Sequence, residues 1–299
     1  MSIQAKRMPP GGTIGIFCPS HVADAERYDS IFSAVKRLGF NVKPGDNIKK
    51  DTYGYAASAK ERAADLNALV ADDSVHMILF SGGDSAAEIL PYIDYENIRR
   101  NPKFFSSYSD ATPILNAVYA KTGLCTYYGF GAGQFFDLRH YDYMQFCSHF
   151  VEGYSAKRFE SDSEWKTLRG GSCAGTLIGG YSSLFALMLS IEYFRYDSDK
   201  NYLLFLEDHE KFSEVGAVAT YLAFIAQSAF MKRVTGLIFG HYSETAPDEL
   251  LRCLGRFGEA YNIPVVYTDD FGHGTRHAIL PIGIDAALDA DKHTLDFFV

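Results

Sequence analysis

Apolar and polar positions in the first half of the chain alternate between compact hydrophobic runs and stretches of helical spacing. Thr13 to Cys18 (TIGIFC) is a β-rich apolar run closed by Pro19 and Ser20, as expected of a buried strand. A helical stretch follows from about Asp24 to Leu38 and stops at Gly39, and Phe40 to Val42 reads as a short second strand. Lys60 to Val70 places Ala63, Ala64, Leu66 and Leu69 at helical spacing. Val75 to Phe80 (VHMILF) is another buried-strand run, cut short by Ser81-Gly82-Gly83. Phe104 to Tyr108 continues the strands, and Ala111 to Lys121 the helices, up to Gly123. Strand and helix in alternation predict a mostly parallel sheet covered on both faces, flavodoxin- or Rossmann-like.

The texture changes between about Phe135 and Arg169, which is aromatic, charged and without a clean period up to Gly170-Gly171. Beyond a glycine-rich turn, Tyr202 to Leu206, Val234 to Phe239 and Ile263 to Tyr267 read as strands and Gly216 to Ala229 as a helix. The expected organisation is an N-terminal α/β domain over 1–134 and a crossover over 135–170 that supplies part of a cleft. A second α/β or β-rich domain is expected over 171–299.

Composition narrows the function classes. Apolar residues make up 47% of the 299 and aromatics 15%, ample for a globular core. The formal net charge of −9 argues against nucleic-acid or anionic-membrane binding, since both need dense positive surface. The five cysteines (Cys18, Cys125, Cys147, Cys173, Cys253) are scattered, with no C-x-x-C pair. That suits a reducing compartment, and with no apolar leader or spanning segment a cytoplasmic location is expected.

The segment Phe104 to Pro113 (FFSSYSDATP) carries the first candidate chemistry. A nucleophile elbow sets serine on a sharp strand-to-helix turn, where flanking side chains must be small. The residues two before and two after Ser109 are Ser107 and Ala111, and Pro113 falls in the first helical turn, where its missing N–H is harmless. The competing reading is an ordinary helix cap at Ser109 or Asp110. The stretch lacks the glycines of G-x-S-x-G.

Several segments together resemble the LD-carboxypeptidase family of serine peptidases. They are Ser81-Gly82-Gly83-Asp84, LPYIDYENIRRNPKFF, SYSDAT, YAKTGLCTYYG, GTLIGGYSSL (Gly175 to Leu184), LLFLEDHE (Leu203 to Glu210) and FGHGTRHAILPIG (Phe271 to Gly283). The wording GGDS and the Trp165 segment are closer to the microcin-immunity-type serine carboxypeptidases than to the murein tetrapeptide enzymes. The resemblance implies Ser109 as nucleophile, Glu207 and His273 as the other triad members, a homodimer, and no metal or organic cofactor. It also implies hydrolysis that releases a C-terminal group from a small peptide-like substrate, an L,D-linked murein peptide or a peptidyl-nucleotide antibiotic. Three positions depart from the family: Ser107 for glycine, Phe130 for proline and Tyr181 for asparagine.

The residues themselves bear on these roles. Glu207 directly follows the apolar run YLLFL, at the end of a strand where α/β folds face ligands, with Asp208 as its competitor for orienting a base. His273 lies between Gly272 and Gly274, which leave the backbone free to present an imidazole. In the expected mechanism backbone N–H groups of Gly83 and Asp110 meet the oxyanion, and Asp84, Ser85 and Trp165 are candidate substrate contacts. The serine falls in one half of the chain and its partners in the other, so the cleft between domains is the expected site. Two alternatives stay open: a non-catalytic binding protein of the same fold, and a metal-dependent amidohydrolase using His273, His277 and Glu207. Glycines at 272 and 274 argue against the helix that would put both histidines on one face. Gly82-Gly83 and Gly179-Gly180 lack the pattern of a nucleotide-phosphate cradle.

Overall fold

The computed structural model describes residues 2–20, 24–153 and 158–298. The chain divides into two compact units, Met1–Ser155 and Ala156–Val299. The division falls within the stretch read as a crossover, of which residues 154–157 lie outside the described part.

In the first unit β1 (Thr13–Phe17), β2 (Asn41–Pro44), β3 (Val75–Phe80), β4 (Phe104–Ser107) and β5 (Thr126–Tyr128) lie in the order β5-β4-β3-β1-β2. Every pairing among them is parallel. This is the flavodoxin-like order, whose switch point lies between β1 and β3 and whose ligands sit beyond the carboxyl ends of the strands. Helices α1 (Ala25–Arg37), α2 (Ala59–Ala71), α3 (Tyr95–Arg100), α4 (Thr112–Thr122) and α5 (His140–Phe146) complete the unit. Ile14, Ile16, Met77, Ile78, Leu79 and Phe105 are fully buried, which is why these strands read as unbroken apolar runs. Ser58 and Glu61 form a reciprocal capping box at the start of α2, and α4 ends at left-handed Gly123.

The aromatic texture after residue 129 has a packing cause. Phe130, Phe135, Phe146 and Phe150 stack in edge-to-face and tilted pairs, and Phe150 meets both Phe104 and Tyr127 at 5.1 Å. The family departure at Phe130 therefore fills core, and its carbonyl accepts the Ser106 hydroxyl at 2.5 Å.

The second unit contains β6 (Lys166–Arg169), β7 (Ser172–Tyr181), β8 (Tyr202–Glu207), β9 (Val234–His241), β10 (Val265–Gly272), β11 (Leu280–Ile282), β12 (Asp285–Asp289) and β13 (Thr294–Phe298). Its mixed sheet has the order β13-β12-β7-β8-β9-β10-β6, parallel from β7 to β10 and antiparallel at both margins. Helices α6 (Ser182–Met188), α7 (Val215–Gln227) and α8 (Asp248–Tyr261) accompany it. β7 replaces the turn expected after residue 170. Its glycines hide it in the sequence, yet one of them is a packing requirement: Gly179 has φ 152°, and a β-carbon there would collide with the Phe205 carbonyl. Among the described residues, no helix is long and apolar enough to cross a membrane.

Candidate active site

In the first unit the chain leaves β4 through an extended Tyr108 and turns sharply at Ser109, whose φ is +58°. That left-handed conformation disfavours a side chain and marks a strained elbow, whereas an N-cap residue holds an extended backbone. A short 3₁₀ turn, Ser109–Ala111, leads into α4, and neither start carries a side-chain cap. The backbone at Ser109 is thus that of a sharp elbow and not that of an N-cap. The flanking Ser107 and Ala111 are each 2% exposed, so the elbow leaves no room for larger side chains. The Ser109 N–H donates to the Tyr128 hydroxyl at 2.9 Å, fixing the turn against the end of β5.

The glycine loop after β3 lies at the carboxyl ends of the same strands. Gly83 has φ 139° and Ser85 φ 80°, while Asp84 is exposed. The Asp110 carboxylate points back into the unit, where one oxygen accepts the Ser20 hydroxyl and, at 2.8 Å, the Ala86 N–H. Burial pushes this carboxyl up to about 6, against the lowering effect of those two donors. Sequence reasoning missed Ser20 and the buried Arg62, which also reaches this loop. Arg62 sits in an amphipathic helix pattern with no local sign that it points inward.

In the second unit Glu207 closes β8 and is fully buried, and His273 follows directly on β10. The two side chains meet with His273 Nδ1 2.9 Å from Glu207 Oε2. The Glu207 carbonyl accepts the Ser182 hydroxyl at 2.9 Å. Gly272 makes the approach possible: its φ is +111°, and a β-carbon would stand 3.1 Å from Glu207 Oε2. Burial alone would lower the His273 pKa, but the charge and hydrogen bond of Glu207, helped by Asp208, outweigh it and raise the pKa above the ordinary value.

Asp208 takes a different partner from its neighbour. Its Oδ1 accepts the Tyr181 hydroxyl and the His209 N–H, each at 2.8 Å. Burial pushes the Asp208 carboxyl up to about 6 and raises the Tyr181 phenol as well. Glu207, not Asp208, is therefore the carboxylate on the imidazole, and the Tyr181 departure lies beside it. Trp165 is 4% exposed, and its indole N–H donates to Asp270 at 2.9 Å. Asp270 also accepts Ser161, Asp162 and Thr268, so the tryptophan packs within a hydrogen-bonded loop cluster. Residues 273–279 form neither helix nor strand, so the shared face a His273–His277 metal pair needs is not formed. Among the described residues no group of three or more His, Cys, Asp or Glu is arranged to hold a metal ion.

Family models match both halves of the chain: that of the LD-carboxypeptidase N-terminal domain over residues 14–129 and that of its C-terminal domain over 174–288. A Vibrio cholerae protein classed by name as a carboxypeptidase is 30% identical, covering 98% of this chain and 96% of that protein. The microcin C7 self-immunity protein MccF of Escherichia coli is 27% identical over 95% of this chain and 92% of its own. The crystal structure of an MccF-like protein from Bacillus anthracis superposes with a TM-score of 0.89 at 26% identity, covering 100% of both chains.

Proposed function

This chain belongs to the LD-carboxypeptidase family of peptidases, and from that premise we propose a serine carboxypeptidase acting through Ser109, His273 and Glu207. The observation that carries the reading is the His273–Glu207 pair, in which a fully buried carboxylate holds one imidazole nitrogen and so orients the ring. The left-handed elbow at Ser109 supports the same reading from the other unit.

In the proposed reaction the Ser109 Oγ attacks the carbonyl carbon of the scissile amide as His273 Nε2 takes its proton. Glu207 holds the Nδ1–H and stabilises the imidazolium. The N–H groups of Gly83 and Asp110 receive the oxyanion. Collapse of the tetrahedral intermediate breaks the C–N bond, and the leaving amine takes the proton from His273. Water, deprotonated by His273, then cleaves the acyl-enzyme and restores the Ser109 hydroxyl. No step in this scheme calls on a metal or organic cofactor.

The substrate we favour is a peptidyl-nucleotide of the kind microcin-immunity enzymes cleave, with a murein L,D-peptide second. Likeness over nearly whole chains to MccF and an MccF-like protein supports the first, and likeness to a Bacillus subtilis probable murein peptide carboxypeptidase, 28% identical over 98% of this chain, supports the second. The deciding assay offers a murein tetrapeptide and an aminoacyl-sulfamoyl nucleoside side by side. The nucleoside is expected to be hydrolysed, and Ser109→Ala to abolish turnover with an unchanged melting temperature. A Ser109→Ala protein retaining more than about one part in 10³ of wild-type activity would sink the nucleophile, given what triad removal costs. Binding of either compound without turnover would make the chain a binding protein.

A further inference from the structure

Two buried charges beside the glycine loop have no place in the reaction just described. Arg62, from α2, is 1% exposed; one of its terminal nitrogens donates to the Pro19 carbonyl and lies 3.3 Å from the Ser85 carbonyl and 3.4 Å from the Ser85 hydroxyl. Its other terminal nitrogen pairs with Glu88. The Asp110 carboxylate accepts the Ala86 N–H at 2.8 Å. The Ser85 carbonyl and the Ala86 N–H are the two ends of a single peptide group. A guanidinium thus faces the negative end of that peptide dipole and a carboxylate faces its positive end.

That peptide directly follows the left-handed Ser85 (φ 80°), a conformation a serine does not hold unaided. The other end of the loop is tied as well. The Ser81 N–H donates to the Phe17 carbonyl at 3.1 Å, and the Ser81 hydroxyl accepts from the Tyr28 hydroxyl, also at 3.1 Å. Gly82, Gly83 and Asp84 are the span between these two anchors. Asp110 adjoins Ser109, so the group that grips the loop is covalently part of the elbow.

We propose that Arg62 and Asp110 form a charge clamp across the Ser85–Ala86 peptide, positioning the Gly83 N–H relative to the Ser109 elbow. Both are positioning residues, acting through the loop, and the clamp rests on the reading of Ser109 as nucleophile and Gly83 as oxyanion donor. Charged donors and acceptors in a buried site hold geometry more firmly than neutral ones, which is what a span of two glycines needs.

Asp110→Ala, Arg62→Met and the double variant are to be compared with wild type. The readouts are turnover, the rate of labelling by a serine-directed phosphonate, and melting temperature. Each single variant is expected to lose about 10²-fold in kcat, as for a misplacement near 1 Å, with KM nearly unchanged and slower labelling. The double variant is expected to lose no more than the worse single one, because opening either jaw frees the same peptide. Losses that multiply, or a kcat unchanged in either single variant, overturn the clamp. If Arg62→Met fails to fold, Ser20→Ala removes a donor from Asp110 without touching the guanidinium; it is expected to lower kcat, and an unchanged kcat overturns the clamp. Wild-type protein that takes no label at Ser109 sinks the nucleophile and the clamp with it, whereas normal wild-type labelling with unaffected variants sinks the clamp alone.

Discussion

The ring of Tyr181 meets that of His273 edge-on, with centroids 5.4 Å apart and planes at 72°, while its hydroxyl is held by Asp208 at 2.8 Å. Adjacent carboxylates at the end of β8 thus divide the work. Glu207 fixes the imidazole directly, and Asp208 fixes the wall the imidazole leans on.

Tyr181→Phe keeps the wall and removes its tether. Asp208 Oδ1 then loses the phenol and keeps the His209 N–H, so a buried carboxylate gives up one of its donors. A loss of about 1–3 kcal/mol in unfolding free energy is expected, read from urea midpoints. Tyr181→Ala also removes the ring, and a kcat below that of Tyr181→Phe is expected in steady-state assays. Equal kcat for the two variants would show that the ring does not steady His273.

The raised His273 pKa fixes a pH dependence. A base must be neutral, so kcat/KM should fall on the acid side with a midpoint above the ordinary histidine value of about 6.5. Asp208 contributes to that rise, so Asp208→Asn should shift the midpoint to lower pH. The stability sign is the opposite. The pair's contribution is complete below the unfolded histidine pKa and is lost as pH rises through the higher folded value, which urea midpoints across that window would show. An acid limb that does not move in Asp208→Asn contradicts the assignment of His273 as base.

Gly272→Ala sets a β-carbon against Glu207 and forces a left-handed residue to carry a side chain. Strain of about 1–3 kcal/mol is expected, with loss of turnover as the His273–Glu207 bond is pushed apart. Calorimetry and steady-state assays of the purified variant check both.

Ser109 offers a test of its backbone that needs no substrate. At φ +58°, glycine relaxes the elbow and alanine does not. Ser109→Gly should therefore be more stable than Ser109→Ala by up to about 1 kcal/mol, despite glycine's freer unfolded chain. Alanine as the more stable of the two would mean that the elbow is not strained.

What the sequence shows of this fold follows from where each element's order comes from. Thr13–Phe17 and Val75–Phe80 are legible because burial on both faces writes an unbroken apolar run into the chain. The Ser172–Tyr181 strand is illegible because Gly175 and Gly179 make room for residues 201–205, which lie well beyond it in sequence. The C-terminal hairpin leaves a weaker trace, since Ala286 and Leu288 are spaced by two, as are their partners Leu295 and Phe297, but Ala287 between them blurs the alternation. At the candidate site, Glu207 and His273 stand in recognisable motifs at strand ends. That Glu207 and not Asp208 meets His273 comes from the tertiary structure, in which Tyr181, 27 residues upstream, takes the Asp208 carboxylate. Arg62 reads as an exposed helix cation, and only the tertiary structure turns it inward.

The bond from Ser20 to Asp110 spans 90 residues of chain, and the bond from Ala86 spans 24. Nothing local can therefore set the elbow; it waits until β1, β3 and β4 lie side by side. Contacts of such sequence separation form slowly and late. In refolding, helical signal should return well before Ser109 regains its geometry, leaving a compact interval in which the proposed nucleophile is not yet presented. The left-handed turn at Ser109 is thus a marker for the last stage of folding.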